Sequence, residues 1–334
     1  MLKNKKLAIV NIPHKQCEQA AVMMLESVGY EVRGPAKELT RELSGYMKQP
    51  VSTFIPLKAT PKDLQSCDLF VTVKYYSVLD TIKRYNFLKN KILWFDINGG
   101  QPGRALPKAK YKELPLSPVV PYVGSSKWYA DSSPYPVSGP RYVCYIPIDN
   151  REECLQTERS MLESPVSLVH NPYKWGYGWI VDLLKESGIK FHGGWGAPDG
   201  LLPQSEVPKV LSKALCYVHT KGRDCPGYSL YQALLCGCPV IVSSLFLERT
   251  GYSDLYEHNK TCLVVDDDPK LALSKRARVI SSRFRRCVDR LRDPVENKRI
   301  GEAGRERLLK LQWRSGKDSD RLSFQKFMGE NYVS

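Results

Sequence analysis

Residues 223–243 read RDCPGYSLYQALLCGCPVIVS and place a turn, a short helix and a buried strand in close succession. The turn contains Pro226 and Gly227, the helical pattern is SLYQALLCG, and the run typical of a buried strand is PVIVSS. Another strand run, LCYVHT, lies just before the turn. A strand, a loop, a helix and a second strand in this order predict a βαβ unit within a parallel sheet.

The same alternation recurs along the chain in two successive series. The first contains the strand runs KKLAIVNI, DLFVTVKYY and KILWFDI, followed by the proline-rich segment 102–140, which is expected to be irregular. A helix over DNREECLQTERSMLES leads to the second series, with the strand runs PVSLVH, IKFHGGWG, LCYVHT, PVIVSS and TCLVVDD. Two α/β series joined near residues 150–165 predict two Rossmann-like domains, residues 1–155 and residues 156–334, with the option that the last helix crosses back to the first.

Composition indicates a globular protein of a reducing compartment. The 334 residues are 42% hydrophobic and 25% charged, which is typical of globular chains. Because no run of eighteen apolar residues and no signal-peptide pattern occurs, we expect a cytoplasmic protein, with a peripheral position at the inner face of a membrane as an extension. The ten cysteines show no CxxC pair and no zinc spacing, so we expect buried thiols and no disulfide framework.

The net charge of +15 is unevenly distributed. Residues 1–150 carry 21 basic and 12 acidic side chains (+9), residues 151–269 carry 11 and 15 (−4), and residues 270–334 carry 18 and 8 (+10). Basic regions of this size attract polyanions such as DNA or anionic membrane surfaces. The alternative is a solvated surface that happens to be basic. No obligate protein partner is expected from the sequence.

The start of the predicted helix near Tyr228 and Ser229 favours an anion. Its first backbone amides have no intrahelical partner and lie at the positive end of the helix dipole. We therefore predict a phosphate or diphosphate there, with Gly227 allowing close approach to the backbone. Asp224 suits sugar hydroxyls, and Gln232, one turn inside the helix, suits a ribose. The alternative is a capped helix without a ligand, with Asp224 at the surface and Gln232 solvated.

The stretch resembles the donor-site signature of retaining nucleotide-sugar glycosyltransferases with the GT-B fold, the group 1 or family 4-like glycosyltransferases. Asp224 matches the first acid of that signature, Gly227 the turn glycine and Gln232 the second acid. The rest of the signature follows in register at Ala233, Gly237, Pro239, Val240 and Ile241. The flanks, within residues 165–320, resemble the family as well. In three places the chain departs from the signature, because Asp224 and Gln232 replace glutamates and Tyr228 replaces a second glycine.

The resemblance implies an α/β protein of the GT-B fold, with two Rossmann-like domains facing each other across a cleft. The N-terminal domain would be the acceptor side and the C-terminal domain the donor side. A hexosyl or pentosyl group would move from a nucleoside-diphosphate sugar to an acceptor hydroxyl, with retention and without a metal or another cofactor; the nucleotide sugar is the co-substrate. Lys174 matches the family's diphosphate-binding lysine, whereas the accompanying arginine has no match. The implied donor-binding residues are Lys174, Gly194, Trp195, Pro226, Gly227, Tyr228, Ser229 and Gln232.

Polar residues of the first domain follow predicted strands. His14 lies in the loop after the first strand run. Asp96 lies near the end of the run KILWFDI, and Asn98 and Gly99 follow this run. Ligands of parallel sheets bind at the carboxyl ends of strands. We therefore predict His14 and Asp96 as catalytic residues together with Asp224, and Asn98 and Gly99 as part of the acceptor side. The alternatives are an exposed loop histidine and a tight Asn-Gly turn.

The acceptor stays open between an envelope glycan or lipid precursor and DNA that carries a hydroxymethylated base, because both present phosphates. A second hypothesis is a GT-B relative that binds a sugar or nucleotide without catalysis, since neither Asp224 nor Gln232 is the usual glutamate. The run Asp266–Asp268 is interpreted as a cap of a helix that starts after Pro269, and no metal site is expected.

Overall fold

The computed structural model describes residues 5–12, 15–36, 55–72, 75–96, 120–125, 139–148, 151–160, 163–169, 172–173, 177–193, 196–221 and 227–332. The chain divides into two compact units. The first unit comprises Met1–Asp149 together with Gln312–Ser334, and the second unit comprises Asn150–Leu311.

The first unit is built on a parallel sheet of seven strands in the order β3-β2-β1-β4-β5-β6-β7. The order of its first five strands is that of a doubly wound Rossmann sheet. The strands are β1 (Lys6–Asn11), β2 (Tyr30–Pro35), β3 (Lys58–Ala59), β4 (Leu69–Thr72), β5 (Ile92–Asp96), β6 (Tyr122–Gly124) and β7 (Arg141–Val143). Its N-terminal helices are α1 (Lys15–Ser27), α2 (Pro61–Ser66) and α3 (Tyr75–Arg84).

The second unit is built on a parallel sheet of five strands in the order β12-β11-β10-β8-β9. The strands are β8 (Val166–Leu168), β9 (Lys190–His192), β10 (Tyr217–Val218), β11 (Val240–Ser243) and β12 (Leu263–Val265). The helices are α4 (Arg151–Gln156), α5 (Val181–Lys185), α6 (Val207–Lys213), α7 (Tyr228–Leu235), α8 (Ser244–Thr250), α9 (Leu273–Arg290) and α10 (Pro294–Leu311). Among the described residues, no helix is both long and apolar enough to span a membrane.

The central strands are buried along their whole apolar runs, as expected of parallel strands covered on both faces. Ala8, Ile9 and Val10 of β1 have no exposed surface, and neither do Val240, Ile241 and Val242 of β11. The core of the second unit continues into helices α5, α9 and α10 through Leu184, Ile280, Phe284, Val288 and Ile300. Continuous apolar runs were therefore a reliable signal for these strands.

The C-terminal segment packs on the first unit through helix α11 (Asp318–Asn331). The amide of Trp313 donates a hydrogen bond of 2.7 Å to the Tyr145 carbonyl. The Tyr142 hydroxyl lies 2.8 Å from Ser323 Oγ, and its ring centroid lies 5.2 Å from that of Phe324. Aromatic packing combined with hydrogen bonds thus holds the end of the chain in this unit.

Several elements differ from the sequence prediction. Strands β2, β3 and β6 were not predicted. Strand β2 has the sequence YEVRGP, so it lacks a continuous apolar run, and Arg33 in its middle forms an ion pair of 3.0 Å with Asp63. The last of the three, β6, lies inside the segment 102–140 that was expected to be irregular.

The helix predicted over DNREECLQTERSMLES is wrong beyond Gln156, where α4 ends. Three residues later, the Arg159 guanidinium donates hydrogen bonds to carbonyls around the end of α6, at 2.6 Å for Ala214 and 2.9 Å for Ser212. It also lies 3.1 Å from Asn297 Oδ1. Tertiary partners therefore override the local helical pattern here, because a guanidinium stabilises the carbonyl end of a helix.

Helix α10 lies unusually close to the turn between α7 and β11. A Cβ atom placed on Gly301 would lie 2.1 Å from the Gly237 carbonyl oxygen, far inside a normal contact. A Cβ on Gly304 would lie 2.7 Å from Leu234 Cδ2. The two glycines are therefore required by helix packing rather than by backbone conformation.

We predict that Gly301→Ala lowers the free energy of unfolding by about 1–3 kcal/mol, because backbone atoms cannot move aside for the new methyl group. The matched control is Gly329→Ala in α11, where a Cβ meets nothing within 4 Å. That change should raise the stability by roughly 0.5–1 kcal/mol through helix propensity. Urea unfolding of both variants tests this, and equal effects of the two changes would contradict the packing argument.

Candidate functional site

Helix α7 begins at a glycine in the left-handed conformation. Gly227 has φ 67° and ψ 74°, a region that side chains strongly disfavour. The amides of Leu230 and Tyr231 donate hydrogen bonds of 2.8 and 3.2 Å to the Gly227 carbonyl. The amides of Tyr228 and Ser229 precede these bonds and have no intrahelical acceptor, as in any helix start.

The Ser229 hydroxyl connects this helix start to two strands. It lies 2.7 Å from the Tyr217 hydroxyl of β10 and donates a hydrogen bond of 3.3 Å to the Leu168 carbonyl at the end of β8. Because β8 and β10 are parallel neighbours, their carboxyl ends lie at one edge of the sheet. The start of α7 is therefore fixed at the carboxyl edge of the second sheet, where the sequence placed an anion site.

The segment after β10 carries a buried histidine that sequence reasoning missed. His219 has no exposed surface, and its ring packs edge to face on Phe246 with centroids 4.7 Å apart. Its Nδ1 atom lies 3.5 Å from the Tyr217 hydroxyl. The sequence signal for this site was His219 itself, a polar residue near the end of the strand run LCYVHT, because a buried imidazole needs a polar neighbour.

Helix α7 is enclosed by its own unit. Gln232 is only 3% exposed. The alternative interpretation of Gln232 as a solvated side chain is therefore wrong. The helix buries every residue except Ser229, namely Tyr228, Leu230, Tyr231, Gln232, Ala233, Leu234 and Leu235. An amide in such surroundings forms specific hydrogen bonds, because burying it unpaired is costly.

The structure brings together Gly227, Tyr228, Ser229 and Gln232 of the predicted donor site. Asp96 is the last residue of β5, and only its backbone is described. The other predicted residues lie outside the described part of the chain: His14, Asn98, Gly99, Lys174, Gly194, Trp195, Asp224 and Pro226. Their roles, and the ligand contacts of the four residues in α7 and its turn, stay predictions. Among the described residues, no group of three His, Cys, Asp or Glu side chains could hold a metal ion.

The aspartate run after β12 forms a buried polar cluster. The Asp267 side chain is fully buried and accepts hydrogen bonds of 2.6 and 2.5 Å from Arg276. It also accepts a hydrogen bond of 2.6 Å from the Tyr177 hydroxyl. Burial, together with this hydrogen bond, raises the pKa of the Tyr177 phenol, and the bond to Asp267 raises the pKa of Arg276. The Arg276 guanidinium lies 5.4 Å from the centroid of the Trp179 ring.

This cluster corrects the interpretation of Asp266–Asp268 as a helix cap. Helix α9 begins only at Leu273, with Ala272 as its N-cap. Asp267 instead pairs with an arginine of the following helix, because a carboxylate without exposed surface needs a charged partner. The cluster thereby ties Tyr177 to the segment after β12.

We predict that Asp267→Asn lowers the free energy of unfolding by about 3 kcal/mol, because it leaves the Arg276 charge without its carboxylate. Asp268 is exposed, and within the described residues its carboxylate accepts a hydrogen bond from the backbone amide of Lys270 and forms no ion pair. The control Asp268→Asn should therefore change the stability by no more than about 0.5 kcal/mol. Thermal unfolding at neutral pH measures both, and a small effect at position 267 would show that the buried ion pair does not stabilise the fold.

Comparisons with known proteins give two kinds of match, one to part of the sequence and one to nearly the whole chain. Residues 178–315 match the model of a family described as glycosyl transferase-like. Solved structures match the chain over 98% of its length and 99% of theirs. They include sucrose-phosphate synthase from Thermosynechococcus elongatus (TM-score 0.63, 15% identity), HepE from Anabaena in complex with UDP and glucose (0.62, 11%) and a glycosyltransferase from Rickettsia africae (0.55, 11%). No curated protein matches the sequence significantly.

The chain is thus a GT-B fold protein, and the fold predicted from residues 223–243 is confirmed by the structural matches. Residues 178–315, which include most of its second unit, are similar to the glycosyl transferase-like family. The resemblance stated for residues 165–320 is confirmed to this extent.

Proposed function

We propose that this protein is a glycosyltransferase that moves a hexosyl or pentosyl group from a nucleoside-diphosphate sugar to an acceptor hydroxyl, with retention and without a metal ion. The observation that carries the proposal is the start of α7. It lies at the carboxyl edge of the second sheet, begins with a left-handed Gly227, and falls within the segment that matches the glycosyl transferase-like family.

In this proposal the second unit binds the donor. The diphosphate accepts hydrogen bonds from the amides of Tyr228 and Ser229, where the helix dipole favours negative charge. Lys174 neutralises the same phosphates, and Gln232 bonds the ribose hydroxyls. Pro226 and Gly194 shape the pocket, and Trp195 stacks on the base. HepE was solved with UDP and glucose, so UDP is the first nucleotide to test.

The reaction requires few side chains of the protein. As the bond between sugar and phosphate breaks, positive charge develops on the sugar ring and negative charge on the leaving diphosphate. Backbone amides and Lys174 stabilise this negative charge. This stabilisation is the main contribution of the protein to the rate. Asp224 holds the sugar hydroxyls. The acceptor hydroxyl attacks from the side of the leaving group, and a diphosphate oxygen takes its proton.

The first unit would bind the acceptor. At the carboxyl ends of the paired strands β1 and β4, Asn11 and Thr72 face each other in register. They are 2% and 0% exposed, and within the described part of the chain Asn11 Oδ1 and Thr72 Oγ1 have no hydrogen-bond partner. Buried polar atoms without a partner are rare. They support a hydroxyl-rich ligand at the edge where His14 and Asp96 were predicted to act.

The acceptor is either an envelope glycan or lipid precursor, or DNA with a hydroxymethylated base. A second candidate function is binding of a sugar or nucleotide without transfer, which the replacement of two family glutamates by Asp224 and Gln232 favours. Release of UDP from UDP-sugars in the absence of an acceptor separates the two functions. Mass spectrometry of products from mixed donors and acceptors then identifies the pair that is used.

We predict that Lys174→Ala weakens UDP binding about tenfold or more, since a charge-assisted hydrogen bond contributes roughly 1.5–3 kcal/mol. Gly227→Ala should weaken it as well, because an alanine disfavours the left-handed conformation by about 1–2 kcal/mol and would displace the helix start. The controls are Lys190→Ala, an exposed lysine, and Gly251→Ala, which has the same φ of 67° at the end of α8. Isothermal titration at low salt measures all four, and unchanged affinity for Lys174→Ala removes Lys174 from the site.

We predict that substitutions of the two polar residues that replace the family glutamates affect sugar transfer and UDP binding differently. Asp224→Ala should slow sugar transfer more than it weakens UDP binding, because the side chain contacts only the sugar. Gln232→Ala should weaken both donor and UDP, since each lost hydrogen bond costs about 0.5–1.5 kcal/mol. Turnover and UDP titration of the two folded variants provide the comparison. Normal turnover of Asp224→Ala would mean that the signature here describes a fold and not a catalytic site.

A further inference from the structure

The order of strands in the first sheet creates a topological switch point between β1 and β4. Strand β1 is followed, through α1, by its neighbour β2, whereas β4 is followed, through α3, by its neighbour β5 on the other side. The strands β1 and β4 are themselves parallel neighbours. The segments that leave their carboxyl ends therefore diverge. In open parallel sheets, ligands bind in the crevice at such a switch point.

Two polar side chains stand at this switch point. Asn11 is the last residue of β1 and Thr72 is the last residue of β4, and the two are partners in register. Residues in register on neighbouring strands lie on the same face of a sheet, and such strands are about 4.8 Å apart. We call Asn11 and Thr72 the switch-point pair.

The switch-point pair is buried among apolar residues. Asn11 is 2% exposed and Thr72 has no exposed surface, and the same holds for the adjacent apolar residues Val10, Ile12 and Val71. Among the described residues, neither Asn11 Oδ1 nor Thr72 Oγ1 has a hydrogen-bond partner. A buried polar atom without a partner costs free energy that an apolar side chain of the same size would not cost. The fold alone therefore does not explain these two residues.

Comparable hydroxyl groups of the second unit are paired. Ser243, the last residue of β11, accepts a hydrogen bond of 3.1 Å from the Phe246 amide. The hydroxyl of Ser167 in β8 lies 3.3 Å from that of Thr220. These three hydroxyl residues have no exposed surface either. The switch-point pair thus departs from the way in which the chain treats other buried hydroxyls, and departures of this kind are typical of functional sites.

We propose that the switch-point pair binds hydroxyl groups of an uncharged sugar ring of the acceptor. The amide oxygen of Asn11 only accepts hydrogen bonds, so its ligand has to donate one, which a hydroxyl does and an ionised phosphate does not. A sugar ring carries several hydroxyls and supplies a donor to each member of the pair, whereas a hydroxymethylated base carries one. The inference rests on the proposed function and narrows its acceptor to a glycan.

The first test is the thermal stability of the free protein. Thr72→Val removes the unpaired hydroxyl and keeps the shape of the side chain, so the thermal midpoint should rise by about 2–4 °C. The matched control is Thr261→Val, because Thr261 Oγ1 donates a hydrogen bond of 2.7 Å to the Leu255 carbonyl and accepts one of 2.8 Å from the Glu257 amide. The control should lower the midpoint. An unchanged or lower midpoint of Thr72→Val would mean that water already satisfies the hydroxyl, and it would overturn the proposal.

The second test is the binding of methyl α-glucoside, an uncharged sugar, to the full chain, followed by saturation-transfer NMR. Asn11→Leu combined with Thr72→Val should weaken binding about tenfold or more, since two hydrogen bonds are lost. Asn11→Asp keeps an acceptor oxygen, so it should bind the glucoside nearly as well as the wild type, and so should Thr261→Val. Circular dichroism checks folding; if the double variant is unfolded, Thr72→Val alone replaces it.

The proposal is overturned if the wild type does not bind the glucoside, or if the double variant binds it as well as the wild type. It is also overturned if inorganic phosphate displaces the glucoside and Asn11→Asp loses binding, since the pair would then bind an anion. Binding of an oligonucleotide with a hydroxymethylated base that requires Asn11 and Thr72, without binding of the glucoside, would assign the pair to a nucleic acid instead.

Titration of the wild type with UDP separates a failure of this inference from a failure of the proposed function. If UDP binds and the glucoside does not, only the acceptor subsite is wrong. If UDP does not bind, the proposed donor site is wrong. Glucoside binding that depends on Asn11 and Thr72 would still support the sugar subsite in that case.

Discussion

The contact between Gly301 and the Gly237 carbonyl leaves no room for a side chain, and much of the second unit depends on it. It sets how closely α10 approaches the turn that joins α7 to β11. At Gly304, three residues later, a Cβ atom would lie 2.8 Å from the Thr261 carbonyl oxygen. Helix α7 is thereby enclosed, and Ser229 at its other end is bonded to strands β8 and β10. The position of the proposed phosphate site follows from this packing.

Buried polar groups hold the ends of the surrounding elements. The Asn297 side chain donates hydrogen bonds of 2.8 Å to the Leu215 carbonyl and 2.9 Å to the Leu291 carbonyl. Arg159 joins the same group of carbonyls and bonds Asn297 as well. At the carboxyl edge of the sheet, Asp267 likewise joins neighbouring segments, because it accepts hydrogen bonds from Tyr177 and Arg276. A unit whose loops carry its site needs such bonds, because loop backbone groups lack the regular partners of helices and strands.

Much of the fold could be predicted from apolar runs. The strands KLAIVN, LFVT, ILWFD and VIVS lie within predicted runs, since parallel strands buried on both faces need continuous apolar sequence. Strand β2 could not be predicted in this way, because Arg33 reaches Asp63 far along the chain. For the same reason the end of α4 was missed: the partners of Arg159 lie more than fifty residues away. Local periodicity contains no information about such partners.

For the candidate site, the sequence by itself determined the turn at Gly227, the helix after it and the group of proteins that this stretch resembles. These follow from local rules, since a turn glycine and an apolar helix pattern constrain the backbone wherever they occur. Only the tertiary structure decided that Gln232 is buried, that Ser229 bonds Tyr217, and that Asp267 pairs with Arg276 instead of capping a helix. Burial and ion pairing depend on which surfaces meet, and that is settled when α7, α9 and α10 pack around one sheet.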